Sequence, residues 1–298
     1  MTKRIKGPLL VFSVLWLAPL CFGLNQNPER PKYPFTLSEG GLILIEVTVN
    51  HTKGNFILDT GAGLHVLSKG FAQKLNPRPA GRYTGFRNTG ERLDLDLFQI
   101  DSISIGQFRD NNAIVAIWEV LDKFRVDGVL SARFFERRPV TLDFNQHELI
   151  FENRRGIDQR LRNGRVVPLK IMEDRNKALG LFVDLQVGKS LIVECELDTG
   201  FDGLLILDVR LMRSLGIDEN SASVKRTETS GNTGLPEIRY RAVVPSLSLP
   251  GAPGISVTKP EATFKRNLIY DGVVGVGFWV RRKMTIDIPR RRMIVGIR

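Results

Sequence analysis

The chain has 298 residues, 42% of them apolar, which is enough for one large or two small packed domains and too apolar for a disordered polymer. Its net charge of +11 raises nucleic acid as a partner, but the basic clusters Arg154-Arg155, Arg281-Arg282-Lys283 and Arg290-Arg291-Arg292 come with no aromatic interleaving and no nucleic-acid motif. They read as solvated strand edges with some attraction to anionic envelope polymers, and nucleic acid is not an expected partner.

The N-terminus reads Lys3-Arg4-Lys6, then an apolar run from Leu9 to Leu20, then Cys21-Phe22-Gly23. A basic start, a short apolar middle and a small residue describe a secretory signal peptide over residues 1–23. The run is shorter than the ~20 residues of a membrane span, and an uncleaved N-terminal anchor is the alternative. Loss of the leader leaves Cys195 as the single cysteine, so no disulfide forms within the chain. On its strand Cys195 reads as a small buried apolar residue. An exported chain without disulfides suits a bacterial envelope, periplasmic or secreted.

Gly41 to Val49 alternates as a half-buried strand, and Asn50-His51-Thr52-Lys53-Gly54 turns it back into a second strand ending at Leu58. Asp59-Thr60-Gly61 then occupies a tight turn before the apolar run Leu64 to Leu67. Ser68 caps a short helix that carries Phe71 and Leu75 and stops at Pro77. Gly81 to Gly90 is polar and glycine-rich, followed by an alternating strand from Leu93 to Ile105. Asp127-Gly128-Val129-Leu130 reads as a strand, with Ser131 capping a helix that carries Phe134 and Phe135. Asp127 is expected to make structural hydrogen bonds at a turn.

Asn153 to Arg165 is charged and lacks apolar periodicity, and reads as a linker over residues 154–165 between lobes of residues 24–153 and 166–298. Strand, turn, strand recurs at Leu197-Asp198-Thr199-Gly200 and Leu204 to Leu207. Asp208 opens a helix pattern with Leu211, Met212 and Leu215 on one face and Gly216 as its stop. Pro245 to Gly254 reads as an exposed turn region. Other agreements are spaced 144 residues apart: Asp127-Gly128-Val129 with Asp271-Gly272-Val273, Asn88-Thr89-Gly90 with Asn232-Thr233-Gly234, Phe134-Phe135 with Phe278-Trp279, and Thr141-Leu142-Asp143 with Thr285-Ile286-Asp287. The chain reads as an internal repeat of one small lobe. His51, His65 and His147 show no metal-ligand spacing, no Gly-x-Ser-x-Gly elbow occurs, and neither metal nor cofactor is expected.

The two Asp-Thr-Gly triplets, each followed some 70 residues later by an apolar-apolar-Gly or apolar-apolar-Ser segment and a short helix, resemble the aspartic proteases of the retropepsin and pepsin clan, the second in a prokaryotic variant. The resemblance covers about Lys32 to Arg298. It departs at Ser131, where the family often has Gly (kept at Gly275), and at Phe201, which replaces a small residue. It implies an all-β fold of two retropepsin-like (acid protease) β-barrel lobes in one chain, related by pseudo-two-fold symmetry, with short helices. It implies catalysis by Asp59 and Asp198, cross-bracing by Thr60 and Thr199, and close backbone approach at Gly61 and Gly200. The segment around Tyr83, Phe86, Asn88 and Gly90 reads either as a flap over substrate or as an ordinary surface hairpin, and Asn232 and Gly234 occupy the equivalent place in the second lobe.

Two facing carboxyls at about 4 Å and an effective dielectric near 20 repel by roughly 4 kcal/mol, or about three pKa units, so one keeps a proton while the other ionises. Such a pair activates a water without a metal. The expectation is an aspartic endopeptidase acting as a monomer on peptide or protein substrates, with transient association with membrane or envelope. The alternative is a catalytically silent protein that binds peptides or envelope polymers on the same fold. Export predicts a mature N-terminus near Leu24; mass spectrometry of envelope material that finds intact Met1 would replace the cleaved signal with an anchor.

Overall fold

A computed structural model describes residues 30–230 and 236–296; the leader and the residues Asn232 and Gly234 lie outside the described residues. Strand Ile43–Val49 buries Ile43, Ile45, Val47 and Val49 and exposes Glu46, as its alternation predicts. The turn behind it is only Asn50 and His51, both left-handed (φ 44° and 72°), the geometry of a two-residue hairpin whose twist matches the strands. Thr52 to Gly54 therefore already belong to the next strand, Thr52–Asp59.

That strand ends at Asp59 and pairs in parallel with Gly128–Ser131, in register Phe56 with Gly128 and Asp59 with Ser131. Strand His65–Leu67 flanks Gly128–Ser131 on the other side, antiparallel. The second lobe repeats the arrangement: Leu191–Leu197 runs parallel to Gly272–Val274, and Leu205–Asp208 lies antiparallel beside it. In both lobes the strand before the acid is thus wedged inside a sheet, which fixes where its last residue ends. Asp127 and Asp271 hold equivalent joints: Asp127 accepts from the Asn55 and Ser68 amides, and Asp271 from the Glu194 and Asp208 amides.

The lobes meet in a shared platform of strands ordered Gly164–Pro168, Arg292–Gly296, Lys283–Asp287, Val140–Asp143, Glu148–Phe151 and Lys32–Leu37. At its centre Val140–Asp143 and Lys283–Asp287 run antiparallel with Thr141 opposite Thr285, and their hydroxyl oxygens lie 2.7 Å apart, fully buried. The pseudo-two-fold passes between these threonines. Phe134, Phe135, Phe278 and Trp279 close the core around it and are each at most 1% exposed.

Three expectations about local structure are corrected. Residues Arg154–Asn163 form a helix capped by Asn153, whose side chain accepts from the Gly156 amide. Its inner face combines Gly156, Ile157 and Leu161 with Arg160, and the arginine hid the helical period. Buried Glu152 makes that face tenable by accepting from Arg160 Nε at 2.8 Å, from Arg30 at 3.2 Å and from the Thr141 hydroxyl at 2.6 Å. The helix expected from Asp208 is present but starts later: Asp208 ends a strand, its carboxylate is taken by the Arg210 and Leu268 amides, and the helix is Leu211–Ser214. Finally, Pro245 to Gly254 lies mostly within a hairpin, Ser246–Leu249 with Ala252–Thr258, turning at Pro250-Gly251 and burying Leu247, Leu249 and Ala252. Among the described residues no helix is long and apolar enough to cross a membrane.

Glu152→Ala leaves Arg160, Arg30 and Thr141 without their shared acceptor, and should lower stability by roughly 3 kcal/mol in urea unfolding. Arg155→Ala, an exposed change on the same helix, should shift it by less than about 0.5 kcal/mol.

Candidate active site

The two acid loops interlock through their threonines. The Thr60 amide donates to Thr199 Oγ1 at 3.0 Å, and the Thr199 amide donates to Thr60 Oγ1 at 3.1 Å. Each hydroxyl in turn donates across the interface, Thr60 to the Leu197 carbonyl at 2.5 Å and Thr199 to the Leu58 carbonyl at 2.8 Å. Both residues are fully buried, so these polar groups have no water to fall back on. The residue before each Asp, Leu58 or Leu197, is tied by its carbonyl to the opposite loop, and the two carboxyls come within hydrogen-bonding reach of each other.

Glycine is required beside them. A Cβ on Gly61 would stand 2.6 Å from Asp198 Cγ, and one on Gly200 would collide in the same way with the Asp59 carboxyl. Asp59, Thr60, Gly61, Asp198, Thr199 and Gly200 are therefore all in one place.

The pair is not symmetric. Asp59 Oδ1 accepts from the amides of Gly61 (2.8 Å) and Ala62 (2.9 Å), whereas Asp198 Oδ1 accepts from Gly200 alone (2.8 Å). The Phe201 amide faces the Asp198 carbonyl oxygen instead, at 3.4 Å. Burial raises both pKa values; the amides partly offset this for Asp59, while the charge of Asp59 adds to it for Asp198, which is held well above the usual carboxylate range. Hydrogen bonds favour the negative charge on Asp59 and the proton on Asp198, within a pair that titrates as a unit.

The two sequence departures belong to this asymmetry. The Phe201 carbonyl accepts from the Val276 amide at 2.8 Å and presses against Gly275, where any Cβ would collide with it. At the equivalent place in the first lobe stands Ser131, fully buried, its amide donating to Nδ1 of buried His65 at 3.1 Å. Burial lowers the His65 pKa to about 4, so the ring is neutral and already engaged.

The segment of Tyr83, Phe86, Asn88 and Gly90 is a hairpin, Arg78–Phe86 with Arg92–Gln99, and it reaches across to the second lobe. The Tyr83 hydroxyl donates to Asp174 at 3.0 Å, Arg175 stacks over the Tyr83 ring and donates to the Thr84 carbonyl, and Lys177 donates to the Arg82 carbonyl. At the tip, the Asn88 carbonyl accepts from the Ile269 amide and Gly90 sits beside Ile269. Phe86 is 61% exposed. Sequence reading missed Asp174, Arg175 and Lys177, whose turn carries no motif. It also missed Glu196, a buried acid two residues before Asp198, although its place inside an apolar run was a visible signal. Cys195 is buried and free. Among the described residues no group of His, Cys, Asp and Glu is arranged to hold a metal.

Residues 45–134, which include the first acid loop and its hairpin, match the model of an aspartyl protease family. Over those residues the chain is similar to the aspartyl proteases. Its fold is that of the clan throughout: it is similar to the crystal structure of basic 7S globulin from soybean, with a TM-score of 0.52 over 91% of this chain and 95% of that one, at 8% identity. No curated protein sequence matches the chain.

Thr60→Ala and Thr199→Ala should each cost about 2–4 kcal/mol in denaturant unfolding, because each strands an amide and a carbonyl inside the interface. A second outcome concerns pH. Asp59, Asp198 and Glu196 all have raised pKa values in the folded state, so the stability they contribute is present below the unfolded carboxylate range and is lost as pH rises, for Glu196 through about 8. Asp198→Asn should therefore lose less stability than the parent between about pH 4 and 8 in matched denaturant titrations.

Proposed function

We propose that the chain is an aspartic-type endopeptidase that hydrolyses peptide bonds with a water activated by Asp59 and Asp198. The observation that carries this reading is the braced pair of facing carboxyls with unequal hydrogen bonding. The Asp59 carboxylate takes a proton from water as the water oxygen attacks the peptide carbonyl carbon. Asp198 gives its proton to the carbonyl oxygen, producing a neutral diol. Collapse of the diol breaks the C–N bond, the amine leaves with a proton from Asp59, and Asp198 recovers its own. The backbone amides at Asp59 do not reorganise during these steps, so the charge is met by dipoles already in place.

In this reading the hairpin with Tyr83 and Phe86 is the flap, and the contacts of Asp174, Arg175 and Lys177 hold it closed. Since one chain supplies both acids, the working form is a monomer. The leader of residues 1–23 supports action outside the cytoplasm, in the periplasm or beyond, with an N-terminal anchor as the other arrangement.

Incubation of the purified protein with a diverse peptide library at several pH values, with and without a pepstatin-type inhibitor, should give inhibitor-sensitive cleavage. Asp59→Asn and Asp198→Asn should each reduce the rate by about 10³-fold or more while folding normally. Cleavage at the parental rate in both variants would remove the pair as catalyst. A parent that binds peptides but cleaves none would make the chain a binding protein on this fold.

A further inference from the structure

The strand into the second acid carries a residue that the strand into the first does not. Glu196 lies on the strand Leu191–Leu197, two positions before Asp198, where the alternation of an extended chain turns both to one side. Its counterpart two positions before Asp59 is Ile57. The registers agree: Ile57 sits between Leu44 and Val129, and Glu196 between Phe182 and Val273. Ile57 packs with Leu44, Val129 and Ala62 in an apolar group. Glu196 is only 7% exposed, and among the described residues none donates a hydrogen bond to its carboxyl or pairs with it as a cation.

The groups facing it are acids and aromatic rings. Asp198 follows just past the end of its own strand, and Asp59 acts on it from the end of the first-lobe strand. Cross-strand Phe182 packs edge-on against Tyr270 at 4.8 Å, and Tyr270 feels both Glu196 and, from the hairpin, Tyr83. Further back along the same face, Lys170 is already held by Asp184 and Glu194 at 2.7 Å each.

We propose that Glu196 is a third carboxyl of the site, a positioning residue that keeps the shared proton on Asp198 and so extends hydrolysis to the alkaline side of neutral. The proposal rests on the endopeptidase reading. Burial first and the Asp59 charge second push the Glu196 pKa up to about 8. Glu196 in turn helps hold Asp198 above the usual range. When Glu196 ionises, its charge opposes loss of the Asp198 proton, and the one-proton form of the pair persists to higher pH.

The test compares kcat/KM from about pH 4 to 10 for the parent, Glu196→Gln, Glu196→Ile and Glu196→Asp. With the like charge gone, the Gln and Ile variants should move the alkaline limb down by about one pH unit or more and leave the acid limb in place, while Asp restores most of the shift. Folded Gln and Ile variants with an unmoved alkaline limb would overturn the proposal. A ¹³C-carboxyl NMR titration of the free protein decides it without hydrolysis. Asp198 should titrate at lower pH in the Gln variant than in the parent, and an ordinary carboxylate titration of Glu196 in the parent would refute the idea by itself. A parent that cleaves no peptide would sink the endopeptidase reading and leave this titration to judge Glu196.

Discussion

The reciprocal threonine brace is the constraint on which the rest of the site depends. Two carboxyls that would repel by roughly 4 kcal/mol if both ionised, at an effective dielectric near 20, share a proton only while their loops hold them together. Four buried hydrogen bonds from Thr60 and Thr199 oppose their separation, each joining a threonine hydroxyl to the backbone of the opposite loop without involving the carboxyls themselves. The acids can therefore exchange protons while their supports stay still. Behind each loop a parallel strand pair fixes the last residue before the acid.

Much of this was legible in the sequence because the decisive features are local. An Asp-Thr-Gly turn between apolar runs places an acid at a strand end, and the repeat of Thr141-Leu142-Asp143 as Thr285-Ile286-Asp287 marked those two segments as copies. The capping role of Ser68 and Ser131 was readable for the same reason. What was missed depends on distant partners. The helix Arg154–Asn163 looked aperiodic because Arg160 occupies an inward position that only Glu152 makes tenable. The late start of Leu211–Ser214 goes with Asp208 serving as a strand end whose carboxylate takes the Leu268 amide from sixty residues away. The contacts of Tyr83 with Asp174 and Arg175 join residues about ninety positions apart, and no local pattern marks them.

The two loops share a plan but not an environment. Ala62 presents an amide to its acid, whereas the Phe201 amide turns elsewhere and its carbonyl presses on Gly275. Ile57 and Glu196 differ in the same direction. Each difference makes the first acid the easier place for charge and the second the easier place for a proton. A reaction that needs a base on one side and an acid on the other gains from such bias, which a symmetric pair would have to acquire from its substrate.

The shared platform bears on what either half could do alone. Val140–Asp143 and Lys283–Asp287 cover one another's edges, and each is a short run whose opposite number is nearly its own copy, Thr-Leu-Asp against Thr-Ile-Asp. A half chain cut free would present an unpaired strand edge already shaped to accept a near-duplicate, with a threonine at the crossing point. The most available near-duplicate is another molecule of the same half. Separation of the lobes thus leads toward a two-chain assembly built about the same axis, with the acid of each half facing its twin.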